Sequence, residues 1–326
     1  MATNVGIGFR GFLGYGEEST YGTTATRTHY LEILNESLQA SVARIETQAL
    51  VRRGIHSNRV ASGAKSVSGN IEFEATYDGW MKLAKHAFGR IDTTSPDPTN
   101  APTAKQHKFT IGDTLPTGFT FEVFRDATDF VTEANKSFLY KGCKINTMEF
   151  SCGVDELLKV NCGIMGQDDD RATKTTNAFT SSELAVYHEG VVTWGSTELP
   201  VESFSIQLNN ALEMRPKLGS RLTREPLPSG KVEVTGTFGI EFDTWAQYDD
   251  FKNATYRQLD LSFTGDLIAS TTYNKIRFLC TVADLVDARV TLDQVGRLRM
   301  EIDFKAYRGD NINELELYIT NIGTGY

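Results

Sequence analysis

Apolar and polar residues alternate with a period of two along most of the chain. Val232, Val234, Phe238, Ile240 and Phe242 are interleaved with Glu233, Thr235, Thr237, Gly239 and Glu241. Val67, Ile71, Phe73 and Ala75 are set in the same way against Ser66, Ser68, Asn70, Glu72 and Glu74. Leu158, Val160, Cys162 and Ile164 form a third run, and Leu298, Met300, Ile302, Phe304 and Ala306 a fourth. Strand side chains point alternately to opposite faces, so each run predicts a strand with one buried and one wet face, as antiparallel sheets require. Two stretches switch to helical spacing. Trp80, Leu83, Ala84, Ala87 and Phe88 predict one short helix, with Asp78 as its N-cap and Gly89 as its stop. Asp243 caps the second, whose stripe is Trp245, Tyr248 and Phe251. Trp80, Phe88, Trp245 and Phe251 are read as core between helix and sheet rather than as a ligand-stacking surface.

These elements occur twice in the same order. Val67-Ser68-Gly69 answers to Val234-Thr235-Gly236, Asp78-Gly79-Trp80 to Asp243-Thr244-Trp245, and Glu36-Ser37-Leu38 to Glu202-Ser203-Phe204. The spacing is about half of the 326 residues, far longer than the roughly 20–50 residues of a solenoid or propeller unit. It therefore predicts a mainly β protein with two tandem copies of one β-sandwich or barrel, each with one short flanking helix. The expected division is an N-terminal arm over 1–29 and a first domain over 30–166, with a surface insert at about 91–106. A polar linker over 167–184 follows, then a second domain over 185–308 and a C-terminal strand or tail over 309–326. The insert is the Thr/Pro/Asn-rich stretch from Asp92 to Lys105, which has no counterpart in the second half.

Composition shifts attention from chemistry to assembly. The chain is 40% hydrophobic and 23% charged with a formal net charge of −9, values suited to a soluble globular protein and opposed to one that grips nucleic acid over its surface. Against that background two segments are basic. One, from Val51 to Lys65, carries Arg52, Arg53, Arg59 and Lys65; the other sets Arg215, Lys217, Arg221 and Arg224 among prolines and glycines. Long loops that recur in both copies favour a docking role, with acidic surface on a neighbouring subunit as the simplest partner. They lack aromatic residues for base stacking, which argues against a nucleic-acid site.

Other motifs fail on context. Gly6-Ile7-Gly8-Phe9-Arg10-Gly11 matches the dinucleotide-binding fingerprint in letters, but only five residues precede it and no helical period follows. Asp168-Asp169-Asp170 lacks the spacing of a calcium loop, and Cys143, Cys152, Cys162 and Cys280 form no CxxC pair, so no metal site is expected. The five histidines are scattered with no local catalytic signature. No catalytic residue and no cofactor is assigned. No apolar run approaches the roughly 20 residues of a membrane helix. The first residues, Met1 to Val5, lack the profile of a secretory signal, so nothing points to export.

Gly16-Glu17-Glu18-Ser19-Thr20-Tyr21-Gly22-Thr23 resembles the opening G-x-E-x-x-Y-G-T of tail tube proteins from long-tailed, non-contractile bacteriophages. Tyr30 to Leu38, the basic loop, the V-[S/T]-G strand, the helix ending Ala87-Phe88-Gly89, and Phe204 to Asn210 follow in the family's order. The resemblance implies a structural, non-enzymatic subunit whose sheets join those of neighbours to line a hollow tube. For a duplicated chain it implies trimeric rings of pseudo-sixfold symmetry. These rings stack through long loops and pass DNA through a negative lumen during ejection into the host. It also implies residence in the virion tail after assembly in the host cytoplasm, with other tail proteins at the tube ends. The basic residues above would then dock one ring on the next. Two alternatives stay open: a two-domain adaptor of the baseplate or capsid, and an all-β enzyme with a spatially assembled site.

Overall fold

The computed structural model describes residues 11–47, 60–125, 136–291, 297–309 and 314–323, and antiparallel strands dominate it. The first half contains β1 (Phe12–Glu17), β2 (His29–Leu31), β3 (Asn35–Glu36), β4 (Gln39–Glu46), β5 (Val60–Glu74), α1 (Met81–Phe88), β6 (Gly89–Thr94), β7 (Lys105–Ile111), β8 (Phe119–Phe124), β9 (Lys136–Gly153), β10 (Lys159–Gly166) and β11 (Asp168–Thr173). The second contains β12 (Gly190–Trp194), β13 (Thr197–Leu199), β14 (Val201–Asn209), β15 (Leu212–Arg215), β16 (Arg224–Pro228), β17 (Glu233–Glu241), α2 (Ala246–Lys252), β18 (Arg257–Ala269), β19 (Thr272–Thr291), β20 (Arg299–Ala306) and β21 (Glu316–Asn321).

One sheet is shared by both halves and runs β4–β5–β10–β9–β14–β17–β20–β19. Each half adds a second layer of its own. In the first half this is β2–β1–β8–β9–β11. In the second it is β13–β12–β18–β19–β21, extended by β7 and β6. The long strands β9 and β19, 18 and 20 residues, belong to both layers of their copy and tie the layers together. Alternate residues of the facing layers fill the space between them, which makes two sandwiches with one continuous core. The Phe150 and Phe278 rings, one from each copy, lie 4.6 Å apart between centroids.

The duplication extends to an irregularity. In β9 the register with β10 slips at Asn146, so that Gly163 faces Thr147 while Ile164 faces Ile145. In β19 it slips at Val286, so that Asp303 faces Asp287 while Phe304 faces Leu285. A bulge adds twist and re-aims a strand, and here it lies where each long strand passes from one layer to the other. The V-[S/T]-G motif also has a common cause. A Cβ on Gly69 would lie 2.4 Å from the Ser37 carbonyl oxygen, and one on Gly236 2.2 Å from that of Ser205. Only glycine permits so close a backbone approach. The matched partners are thus Ser37 and Ser205, not Ser37 and Ser203. A slip of two residues keeps every side chain on its face, so the repeated Glu-Ser letters mislead without breaking the pattern.

Several expectations need correction. Residues 12–17, placed in an arm, form β1, whose Leu13 and Tyr15 are fully buried. Asp168–Thr173, placed in the linker for its polarity, is the edge strand β11 paired with β9. The insert is a hairpin rather than a surface loop. β6 pairs with β7, and β7 accepts β21 along its other side. The C-terminal strand therefore joins a neighbour within the same chain, between β19 and the insert. Neither helix is capped by its aspartate. Trp80 and Trp245 occupy the N-cap positions without a side-chain cap bond, and Asp78 accepts the Gly79 N–H instead. Gly89 does stop α1, in the left-handed conformation at φ 94°.

Candidate assembly interface

The two halves meet along β9 and β14, whose opposed pairs run from Ser203–Gly153 to Asn209–Thr147. Asn210 closes the end of this seam. Its buried amide donates to the carbonyls of Ala87 (2.9 Å) and Ile145 (3.2 Å), and its N–H donates to Asn146 (2.8 Å). The seam has two unpaired counterparts at the ends of the shared sheet. Beyond residue 283, β19 pairs only with β20 among the described residues, and β4 pairs only with β5. By the equivalences above, β19 is the counterpart of β9, and β4 with β3 that of β14.

The direction of the free backbone groups follows from the alternation of bonded and non-bonded pairs in an antiparallel ladder. The Ser37 N–H donates to Asn70 C=O at 2.9 Å, which makes Gln39–Ser68 and Ser41–Ser66 the bonded pairs. The N–H and C=O of Ala40 consequently point away from β5. On the opposite edge Tyr307 N–H donates to Val282 C=O at 2.8 Å, which directs the backbone groups of Ala288 and Val290 away from β20. Transposing the β9–β14 register places Gln39 opposite Arg289, Ala40 opposite Ala288 and Ser41 opposite Asp287.

The face of the shared sheet that does not meet the core is polar. It carries Glu72, Glu74, Glu149, Glu233, Glu241, Asp287, Glu301 and Asp303. Its cations are already paired: Lys159 with Glu156 (3.0 Å), Arg289 with Asp303 (2.8 Å), Arg299 with Glu202 (2.9 Å) and Lys305 with Glu233 (2.7 Å). Among the described residues, what remains unpaired there is carboxylate and amide, so phosphate would find few cations to hold it.

The basic segments are more structured than their composition suggests. Residues 60–65 extend β5 outward in a hairpin with β4, and β15 and β16 form a second hairpin. The two touch: Lys65 N–H donates to Arg221 C=O at 2.9 Å, and Arg221 Nε to Gly63 C=O at 3.0 Å. Lys65 also pairs with Asp168 at 2.8 Å, and Arg215 holds the Glu225 carbonyl through Nε and a terminal nitrogen. Lys217 and Arg224 are exposed. Arg52, Arg53 and Arg59 lie outside the described residues.

Helix α1 is fixed by an ion cluster that the sequence did not reveal. The Glu17 carboxylate takes bonds from His86 (2.9 Å), Lys82 (2.9 Å) and Lys85 (3.0 Å), all from α1. The His86 bond, aided by the two lysines, holds Glu17 well below the usual carboxylate range, while burial pushes His86 down. Of the four aromatic residues assigned to helix–sheet core, Trp80 and Phe88 are fully buried and Phe251 partly so. Trp245 is the exception, 61% exposed and packed only edge-on against Phe242 and Tyr248. Helix α2 is preceded by a loop two residues shorter, and among the described residues nothing covers the indole at its N-cap.

No group of three or more His, Cys, Asp or Glu among the described residues is arranged to hold a metal. The four cysteines are free and buried. No helix among the described residues is long and apolar enough to cross a membrane.

These features define a two-copy β subunit with a continuous sheet, complementary open edges and a polar face. A family model described as Phage tail tube protein matches residues 8–306, and the chain belongs to that family. It is a structural tail tube subunit of the virion. A comparison with curated proteins found no match.

Proposed function

We propose that copies of the chain polymerise by repeating between molecules the β9–β14 seam that each contains. The supporting observation is the match of the two open edges to the two sides of that seam, including the bulge. Each chain supplies eight strands to the shared sheet, and three chains supply six sandwich domains to a ring of pseudo-sixfold symmetry. Rings stack into the tube of a long-tailed, non-contractile phage, assembled in the host cytoplasm and bounded by other tail proteins at its ends. The polar face lines the lumen, and its unpaired carboxylates let DNA pass during ejection without being gripped. The two basic hairpins, side by side on one edge of the chain, contact the next ring. Arg52, Arg53, Arg59, Lys217 and Arg224 supply the charge for docking, while Lys65, Arg215 and Arg221 shape the support. The chain acts without catalysis.

Negative-stain microscopy of the purified chain tests this reading. Hollow filaments or rings with three subunits are expected. A discrete monomer at all concentrations refutes the reading and favours a two-domain adaptor.

A further inference from the structure

The seam between the halves has a second component besides strand pairing. Residues 183–187 insert between the end of β5 and the start of β10. Ala185 N–H donates to Ala75 C=O (3.0 Å), Ala185 C=O accepts from Leu158 N–H (3.0 Å), and Glu183 C=O accepts from Tyr77 N–H (3.1 Å). Under this cover Ala75, Tyr77, Trp80 and Leu158 are all buried to 1% exposure or less.

The second copy has the same cleft with no cover among the described residues. The Phe242 N–H donates to Leu298 C=O at 2.9 Å, as Ala75 N–H does to Leu158 C=O at 2.7 Å. Yet Leu298 is 37% exposed and Trp245 61% exposed, and Phe242 is only partly buried. Among the described residues, Phe242 C=O and Leu298 N–H have no backbone partner, where Ala75 C=O and Leu158 N–H hold Ala185. An open aromatic site beside unpaired strand groups is an unfinished interface.

Pairing of β1 with β8 and of β12 with β18 identifies what fits it. Through these ladders Leu13 corresponds to Val192, Tyr15 to Trp194 and Gly11 to Gly190. Counting back, residues 183–187 correspond to residues 4–8, and Leu184-Ala185-Val186 to Val5-Gly6-Ile7. The pattern of apolar, small, apolar is retained. Ala185 is fully buried between two backbones, so a small residue is required there, and Gly6 meets that need.

We propose that the cleft at Phe242, Trp245 and Leu298 receives residues 4–8 of a second copy of this chain. The segment adds as a short strand, with Gly6 bonded to the backbone of Phe242 and Leu298. This inference rests on the polymerisation proposed above and specifies which segment crosses between subunits. It also gives the Gly6-Ile7-Gly8 stretch a reason unrelated to nucleotides.

The full-length chain tests it by iodide quenching and by cross-linking. Trp80 and Trp194 are buried, so Trp245 is the tryptophan open to iodide, roughly a third of the indole population. Assembly should remove that accessible fraction. An Ile7→Cys/Arg297→Cys double variant, at the counterparts of the opposed Val186 and Leu157, should form disulfide-linked dimers and ladders in assembled material under mild oxidation, and none in isolated monomer. Opposed strand residues have the Cα spacing that a disulfide needs. Rings or tubes whose Trp245 stays as accessible as in the monomer, or a disulfide that closes within one chain, overturn this inference alone. A chain that never assembles overturns the polymerisation proposal as well.

Discussion

Two neighbouring residues on β4 should respond oppositely to proline. The Ala40 N–H points off the sheet edge, whereas Ser41 lies in a bonded pair with Ser66. Proline removes a donor and obstructs pairing on the side that the N–H faced. Ala40→Pro therefore leaves the intrachain ladder intact and removes one bond from each of the proposed subunit contacts. A net hydrogen bond is worth about 1 kcal/mol. In the proposed ring of three chains the loss comes to about 3 kcal/mol, or roughly two orders of magnitude in the equilibrium for ring closure. Steric obstruction of the incoming strand adds to that figure. Ser41→Pro instead breaks a bond to β5 and should lower monomer stability by about 1–3 kcal/mol, with β4 partly detached. Thermal denaturation of the monomer and analytical ultracentrifugation across a concentration series separate the two effects. The expected outcome is an Ala40→Pro chain that melts with the parent and fails to assemble, and a Ser41→Pro chain that melts earlier. Normal assembly by Ala40→Pro would show that this edge is not the one copies use.

Further outcomes follow from other contacts. Gly236→Ala forces a Cβ to 2.2 Å from the Ser205 carbonyl and should cost several kcal/mol, read as an earlier urea midpoint; an unchanged midpoint would refute the close-approach account. Asn210→Ala leaves the Ala87 and Ile145 carbonyls without their donor and should destabilise the seam by about 1–3 kcal/mol in the same assay. The folded pKa values of Glu17 and His86 both lie below their ordinary values, so their contributions are complete above those values and are lost as pH falls. Stability should therefore decline first below about 6.5, as His86 takes a proton, and again below about 4.5, as Glu17 does. Glu17→Gln should remove the lower step, worth about 1.5–3 kcal/mol, in a melting series from pH 7 to 3. Reversing the charge of Lys217 and Arg224 together should leave the melting temperature unchanged and shorten tubes in micrographs, more so at low salt.

How much was legible in the sequence depended on which force set each feature. Burial on one face writes itself as period two, so β5, β10, β17 and β20 were readable, as was their repetition. The glycines of the V-[S/T]-G strands were visible because a backbone approach admits no other residue. Exact register was not visible, since Ser37 matched to Ser203 instead of Ser205 leaves every face correct. β11 was missed because an edge strand of three aspartates buries little, and its ladder with β9 is a backbone matter. β1 was missed because glycines alternate with its buried Leu13 and Tyr15, which hides the pattern of a strand. The Glu17 cluster joins residues 65 to 69 positions apart, and no local signal announces such a contact.

The tryptophans show most clearly where reading a repeat letter by letter fails. Trp80 and Trp245 follow the same motif and open equivalent helices, so the sequence assigns both to core. One is buried because residues 183–187 and the end of β21 close over its loop, the latter through Asn321, whose amide donates to Tyr77 C=O at 2.7 Å. Among the described residues no segment covers the other as residues 183–187 cover the first. Likewise, among the described residues, β19 beyond residue 283 and β4 each keep one edge open. In the proposed assembly the internal junction of the duplicated chain is repeated between copies, and the exposed aromatic residues and open strands are the two sides of that one contact. The insert between β6 and β7 breaks the equivalence. It pairs with β21 and has no counterpart to meet β11, whose outer edge the acidic run Asp168-Asp169-Asp170 protects from unwanted pairing. Symmetry between the two domains should hence be close in the shared sheet, where β9 and β19 carry the same bulge, and broken in the other layer, where only the first copy has the hairpin.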